Sequence, residues 1–326
     1  MLNNSNIKYI CTYFDSNFLT RGLVLYESIK KNTKEFVFYV LALDQATFDY
    51  LQALRDEKII PISIREYNIF FNIDIQKFKN KKQFYFSLTP KLCIYILKNY
   101  PQIDILLYLD ADVYIFNSLD ILYGEIGSAA ITMCPHRINP IIKFFSNHYG
   151  SYNVGVNSFR NNEEGLNCLN EWKNEIDSWY PRKPGYPLSF LSDQIFLDTW
   201  ADKFPNHKII NHIGINAAPW NCINSRFRKK DGIYYVNNKP LVIYHFSSLR
   251  KIEKNVWDGN TDQTIINIKG TLLEIYMDYI KKIDSSNIVT NKTVKLNVKG
   301  SNLKKIIYRL LKLFTNDKIV IPPIKI

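Results

Sequence analysis

The sequence predicts an α/β fold, a mixed and mostly parallel sheet flanked by helices, with a C-terminal helical appendage. Up to residue 135, short β-branched or aromatic runs alternate with helical patterns, the mark of βαβ units. One run, ILLYL at 105–109, is apolar throughout, as strands buried on both faces of a parallel sheet are. The third observation is composition. The 326 residues are 46% hydrophobic and 22% charged, with 22 Tyr and 20 Phe spread along the length, which is enough for a sizeable folded core.

The elements follow in order. Strands are predicted at IKYICTY (7–13), FVFYVLAL (36–43) and KIIPI (58–62), with a helix over 18–31 between the first two. Thr89-Pro90 opens the next helix, KLCIYILKN, with Thr as N-cap and Pro at the first helical position, where its missing N–H is harmless. That helix feeds the strand IDILLYLD (103–110), and AAITM (129–133) follows. Beyond it come a strand near YNVGVNSF, helices around 166–179 and 191–200, and a late strand PLVIYHF (240–246). A boundary falls near Arg250, where core strands stop and Lys density rises, dividing the chain into a main domain over 1–250 and a basic, mainly helical region over 251–326. Leu303, Ile306, Ile307, Leu310, Leu311 and Phe314 share one helical face, with Lys304, Lys305, Arg309 and Lys312 on the other. The helix 303–314 could dock on its own domain or lie on an anionic membrane surface.

The net charge of +12 suits an anionic partner, but basic residues are scattered until the last quarter and no RRM, zinc-finger or helix-turn-helix pattern occurs, so nucleic acid is not expected. The N-terminus has neither a basic n-region nor an apolar h-region, and no stretch reaches the ~18 to 20 apolar residues of a membrane span. A cytoplasmic protein, at most peripheral to the membrane, is the expectation. Cys11, Cys93, Cys134, Cys168 and Cys222 form no CxxC pair and read as reduced core thiols.

Asp110 and Asp112 stand at the end of the apolar run ILLYLDADVYIF. Ligands in open α/β sheets gather at the carboxyl ends of strands, and if the chain stays extended there, residues two apart face the same way. Two partly desolvated carboxylates side by side would cost several kcal/mol or bind a proton unless a cation joins them. Oxygen ligands, alone or with imidazole, favour Mg²⁺ or Mn²⁺, which suits a diphosphate. Either Asp could instead simply cap the turn after the strand.

At this point the chain resembles the nucleotide-sugar glycosyltransferases of GT-A fold, especially the group containing glycogenin and bacterial lipopolysaccharide sugar transferases. The resemblance runs from about residue 7 to residue 250 through several ordered motifs. YICTYFDSNFLTRGLVLYESI is similar to the family's first strand, donor loop and first helix, which implies Thr12, Tyr13 and Asp15 near the nucleotide. LTPKLCIYIL is similar to the helix before the D-x-D strand, where the family often has Arg; Lys91 stands there, with the charge but without the planar fork. YNVGVNSFRNN resembles the segment that borders the sugar, implying Asn153 and Gly155, and SDQIFLD resembles the Asp-Gln segment beneath it, implying Asp193 and Gln194 as catalytic candidates. PLVIYHFSS is similar to a late strand ending in a metal-binding His, which maps onto His245; the glycine and lysine that often follow are not matched. CPHR and INAAPWN also resemble segments of such transferases, where His136 or Arg137 could meet the diphosphate or acceptor or serve as hydrogen-bonded structural residues.

Without the resemblance, His245 could be a satisfied structural histidine at a strand end, in one sheet with Asp110, and Asp193 and Gln194 the first-turn polar residues of a helix. With it, the implied reaction is metal-dependent hexosyl transfer with retention. The donor is a nucleoside diphosphate sugar, by preference UDP-linked, on Mn²⁺ or Mg²⁺ held by Asp110, Asp112 and His245. The implied acceptor is a glycan or lipid-linked saccharide of cell-surface polysaccharide or lipopolysaccharide. A haloacid dehalogenase-like phosphatase also places D-x-D after an apolar strand, but there the motif usually continues Gly-Thr and lies early in its domain; here Val113-Tyr114 follow and four sheet-forming segments precede. A non-catalytic sugar-nucleotide or glycan-binding protein is the third reading.

Overall fold

The computed structural model describes residues 7–74, 78, 81–138, 150–182, 193–223, 225–253, 255–259, 266–286 and 318–320. The main sheet opens with β1 (Lys8–Phe14), β2 (Phe36–Ala42), β3 (Ile59–Ser63) and β4 (Ile105–Leu109), ordered β3-β2-β1-β4 and all parallel. After β5 (Val113–Ile115), which leaves this sheet, β6 (Ile131–Pro135), β7 (Tyr152–Asn153), β8 (Val156–Arg160) and β9 (His207–Ile209) complete it. β8 runs antiparallel between β4 and β6, and β9 is parallel to β6.

Strand alternation explains the layers, because successive side chains point to opposite faces. On β1, Tyr9 and Cys11 join a core with Leu88, Leu92 and Trp172, whereas Ile10 and Phe14 join another with Leu25 and Ile29. The first core is covered by helices α4 (Lys81–Asn99) and α6 (Glu163–Arg182), the second by α1 (Leu19–Asn32) and α5 (Asp120–Ile126). At the far edge, α2 (Gln45–Ala53), capped by Asp44, and α3 (Ile64–Phe71), capped by Ser63, flank β3. All five cysteines are free and buried.

The structure corrects several expectations. Helix α4 begins at Lys81, so Pro90 lies inside it and not at its first position; burial of Leu88, Leu92 and Ile96 along one face outweighs the single hydrogen bond that proline cannot donate. The predicted helix 191–200 is, over its described residues, a 3₁₀ turn, Asp193–Thr199, followed by α7 (Trp200–Lys203). The predicted strand 240–246 is divided. The hairpins β10 (Phe227–Lys230), β11 (Ile233–Val236) and β12 (Lys239–Pro240) form one small sheet, whereas β13 (Ile243–His245) turns away to pair with β5.

Beyond Arg250 the described chain is not helical alone: β14 (Arg250–Glu253), β15 (Val256–Asp258) and β16 (Lys318–Val320) form a sheet beside α8 (Gly270–Ser285). A third core joins both sides of residue 250, with Phe246 stacked on Tyr279 at 3.9 Å and Val24, Trp257 and Ile319 around them. The predicted helix 303–314 lies outside the described residues. Among the described residues, no helix is long and apolar enough to cross a membrane.

Candidate active site and metal centre

Asp110 follows the last residue of β4, and its N–H donates to the Gly155 carbonyl at 3.0 Å. The Val113 N–H then returns to the Asp110 carbonyl at 3.3 Å and closes a turn over Ala111-Asp112. The chain therefore turns there and is not extended, contrary to the reading of the sequence; the two carboxylates converge through the turn and not through period-two alternation. β13 pairs antiparallel with β5, setting His245 opposite Val113, and the Phe246 N–H donates to the Asp112 carbonyl at 2.9 Å. That register brings His245 Nε2 to 3.0 Å from Asp112 Oδ1 and 3.6 Å from Asp110 Oδ2. Asp110 and His245 thus end strands of two different sheets that meet at the turn, not strands of one.

The three side chains offer ligand atoms within 4.8 Å of one another. Burial raises the Asp110 carboxyl above its ordinary range against the pull of His245, and the neighbouring Asp112 charge adds to the rise. Burial acts the same way on Asp112, but the charge and hydrogen bond of His245, helped by Arg21, hold that carboxyl below its usual value. His245 is raised: burial disfavours its charged form, and the carboxylates outweigh burial. Such mutual dependence is what a cation relieves. The donor set fits Mg²⁺ or Mn²⁺, and His245 Nδ1 lies 3.2 Å from Asn216 Oδ1 while Nε2 faces the carboxylates.

Gly155 sits over this centre. A Cβ on it would lie 2.6 Å from His245 Cε1 and 2.8 Å from Asp110 Oδ2. Asn153 Oδ1 accepts from the Gly155 N–H at 3.0 Å, and Asn153 Nδ2 donates to Gln194 Oε1 at 3.3 Å. Six predicted residues, Asp110, Asp112, Asn153, Gly155, Gln194 and His245, are therefore joined in one set of contacts. Asp193 is buried beside Gln194, its carbonyl accepting from Trp172 Nε1 at 3.2 Å.

The nucleotide-side candidates form a second group. The Tyr13 ring lies 6.0 Å from that of Tyr108, whose hydroxyl donates to Asp110 Oδ1 at 2.8 Å. Burial, then the charges of Asp110 and Asp193, push the Tyr13 hydroxyl far up, so this phenol stays protonated. Asp15 Oδ1 accepts from the N–H groups of Asn17 and Phe18 at the entry to α1, and its Oδ2 accepts from Tyr85 at 3.4 Å. Thr12 is fully buried one position before Tyr13, and so on the opposite face of β1. Lys91 is buried on α4 with its ammonium on Asp177 of α6.

His136 and Arg137 are both engaged by backbone: His136 Nδ1 lies 2.6 Å from the Gly150 carbonyl, and Arg137 donates to the carbonyls of Ile210 and Ile215. Sequence reasoning gave no role to Tyr108, Asn216 or Trp220. The Trp220 ring stands edge-on to His245 with centroids 5.1 Å apart. INAAPWN was visible as a motif, but only folding shows that it runs beside β13, with the His245 N–H donating to the Ala217 carbonyl at 2.8 Å.

Residues 9–165 match the family model described as glycosyl transferase family 8. YfnD, an uncharacterised protein of Bacillus subtilis (strain 168), is 23% identical over 256 residues, spanning 78% of this chain and 81% of its own. Among solved structures, the bifunctional glycosyltransferase WbbM in its apo form aligns with a TM-score of 0.50 at 12% identity, covering 86% of this chain and 50% of its own. The galactosyltransferase LgtC, solved with donor and acceptor sugar analogs, aligns at 0.48 with 20% identity, covering 74% and 87%. The fold is α/β of GT-A type, with the mixed, mostly parallel sheet expected from the sequence.

Proposed function

Starting from the support that the family match gives to a glycosyltransferase of GT-A fold, we propose that this chain transfers a sugar, a hexose in the first instance, from a nucleoside diphosphate donor. UDP is the preferred nucleotide, and a hydroxyl of a glycan or lipid-linked saccharide in cell-surface polysaccharide or lipopolysaccharide assembly is the acceptor. The observation that carries the proposal is the convergence of Asp110, Asp112 and His245 next to the buried pair Asn153 and Gln194. A peripheral position on an anionic membrane, through residues 303–314, belongs to the same proposal.

Asp110, Asp112 and His245 would hold Mg²⁺ or Mn²⁺, which when bound supplies positive charge to the departing diphosphate. Tyr13 and Asp15, with Thr12 behind them, flank the nucleotide, and Lys91 is assigned to donor binding. Asn153 and Gly155 border the sugar, and Asp193 and Gln194 support the positive charge that grows on it from the far face. The acceptor hydroxyl attacks the anomeric carbon on the side from which the diphosphate leaves. The old glycosidic bond breaks as the new one forms, configuration is retained, and the departing phosphate takes the hydroxyl proton.

A thermal-shift screen of UDP-, GDP- and CMP-sugars with and without Mn²⁺ tests this reading, since a bound donor stabilises the fold by mass action. At least one donor is expected to raise Tm only when Mn²⁺ is present; no Mn²⁺-dependent shift with any of them would remove the main support. Asp112→Asn is expected to abolish metal-dependent transfer with Tm nearly unchanged, and undiminished turnover would sink the assignment.

A further inference from the structure

Asn216 is wholly buried and holds a left-handed backbone, φ 58°, which asparagine adopts more readily than most side-chain-bearing residues. Its side chain also meets the Cys134 thiol, and its other neighbours fix the direction of the hydrogen bonds that link it to Asn153 and His245. The argument begins at Gly155, whose N–H can only donate and does so to Asn153 Oδ1 at 3.0 Å. The same oxygen lies 2.9 Å from the Asn216 amide, so the Asn216 nitrogen is the end that donates to it. The Asn216 oxygen is left facing His245, 3.2 Å from Nδ1, which must then carry a proton whatever the charge of the ring. Nε2 is the nitrogen turned to the carboxylates.

The other end of the network gives the same answer independently. The Gly150 carbonyl can only accept, so His136 donates to it from Nδ1 at 2.6 Å, and His136 Nε2 becomes an acceptor. Asn153 meets that nitrogen at 3.3 Å with its Nδ2, which also donates to Gln194 Oε1 at 3.3 Å. The orientation of Asn153 is thus fixed twice, once by a backbone donor and once by a backbone acceptor. Asn221 secures the loop by donating to the Asn216 carbonyl at 3.0 Å.

We infer that Asn216 is the positioning residue of the metal centre: it sets the His245 tautomer that offers Nε2 to the cation and ties that histidine to Asn153 at the sugar. The inference rests on the metal and donor site proposed above. It also couples the two ligands, because ordering Asn153 from either side orders the same two-asparagine link, and such coupling is reciprocal.

Manganese titration of the full chain, read by the spin-resonance signal of free Mn²⁺, tests it without recourse to activity. Asn216→Gly keeps the left-handed backbone and removes the amide; it is expected to weaken Mn²⁺ binding about ten- to a hundredfold, the usual effect of removing an outer-shell partner. Asn216→Asp returns an acceptor oxygen to His245 but sets its second oxygen against Asn153 Oδ1, and is expected to recover part of that loss. Wild-type affinity in Asn216→Gly overturns the inference and leaves the metal site standing. Absence of saturable Mn²⁺ binding in the wild type, with Asp112→Asn no different, overturns the metal reading and this one with it. A second measurement needs no variant at position 216: nitrogen-15 NMR of histidine-labelled, metal-free protein, with the signal assigned through His245→Gln. A proton on Nδ1 of His245 is expected in the charged and in the neutral ring alike, and a neutral ring protonated at Nε2 alone would overturn the assignment.

Discussion

At Gly155 the constraint is space and not backbone conformation, since a Cβ there would overlap both His245 and Asp110. Gly155→Ala is expected to destabilise by about 1–3 kcal/mol, as overpacking does, and to lower metal-dependent transfer at least as severely as it lowers stability. Retention of wild-type Tm and turnover would mean that the centre is looser than it stands here. His136 offers a pH prediction. Burial, aided by the charge of His245, pushes its pKa down to about 4, below the ordinary value near 6.5 of the unfolded chain. The contribution is therefore fully present above about pH 6.5 and is lost as pH falls toward 4, because the unfolded chain takes up a proton that the fold refuses. The loss amounts to about 3 kcal/mol at 1.36 kcal/mol per pH unit. His136→Gln is expected to flatten that part of the pH–stability curve, and denaturant melts of the two proteins at pH 6.5 and 4.5 check it. Glycine and histidine were both legible as motif members, but their neighbours were not: nothing in NVG announces a clash with a histidine from the last third of the chain.

Helices α4 and α6 meet at Lys91 and Asp177, where burial lowers the lysine pKa and the Asp177 charge opposes the fall. Asp177→Asn strands a buried ammonium and is expected to cost about 1–3 kcal/mol, less than a fully buried pair because Asp177 is 39% exposed. Lys91→Met removes both charge and desolvation and is expected to leave Tm within a few degrees of the wild type. Its donor affinity is the separate readout: a loss there with Tm preserved supports Lys91 in donor binding, and unchanged affinity makes it purely structural. Element prediction succeeded where local pattern and burial agree, as in β1, β2, β4 and α1. It failed at α4, where Pro90 resembled a start signal although the apolar face continues upstream. The hairpins β10–β12 were missed despite their own signal: Asp231-Gly232 and Asn237-Asn238 all have positive φ, as two-residue hairpin turns require. The β5–β13 pair had no comparable signal, since each strand has three residues and their partnership depends on a contact across the chain.

At the scale of the molecule, three cores among the described residues hold the site: two sandwich the sheet, and the third fixes the β5–β13 ribbon against α8. A donor at a hundred times its Kd, with Mn²⁺, is expected to stabilise the fold by about 2.7 kcal/mol, raising Tm by several degrees, and a chelator is expected to reverse the shift. The alternation of strand and helix made the sheet legible, whereas the third core was not, because its aromatic residues are gathered from the first helix, the middle strands and the C-terminal region. The β5–β13 pairing also sets an order of events in synthesis. Asp110 and Asp112 leave the ribosome well before His245, and joining them closes a loop that spans much of the chain, a slow kind of contact. Until that loop closes, the two acids have neither their histidine nor its asparagine. At the metal site proposed for these residues, cation capture by the nascent protein is expected to be a late event, and manganese uptake during refolding to time the completion of the fold rather than its onset.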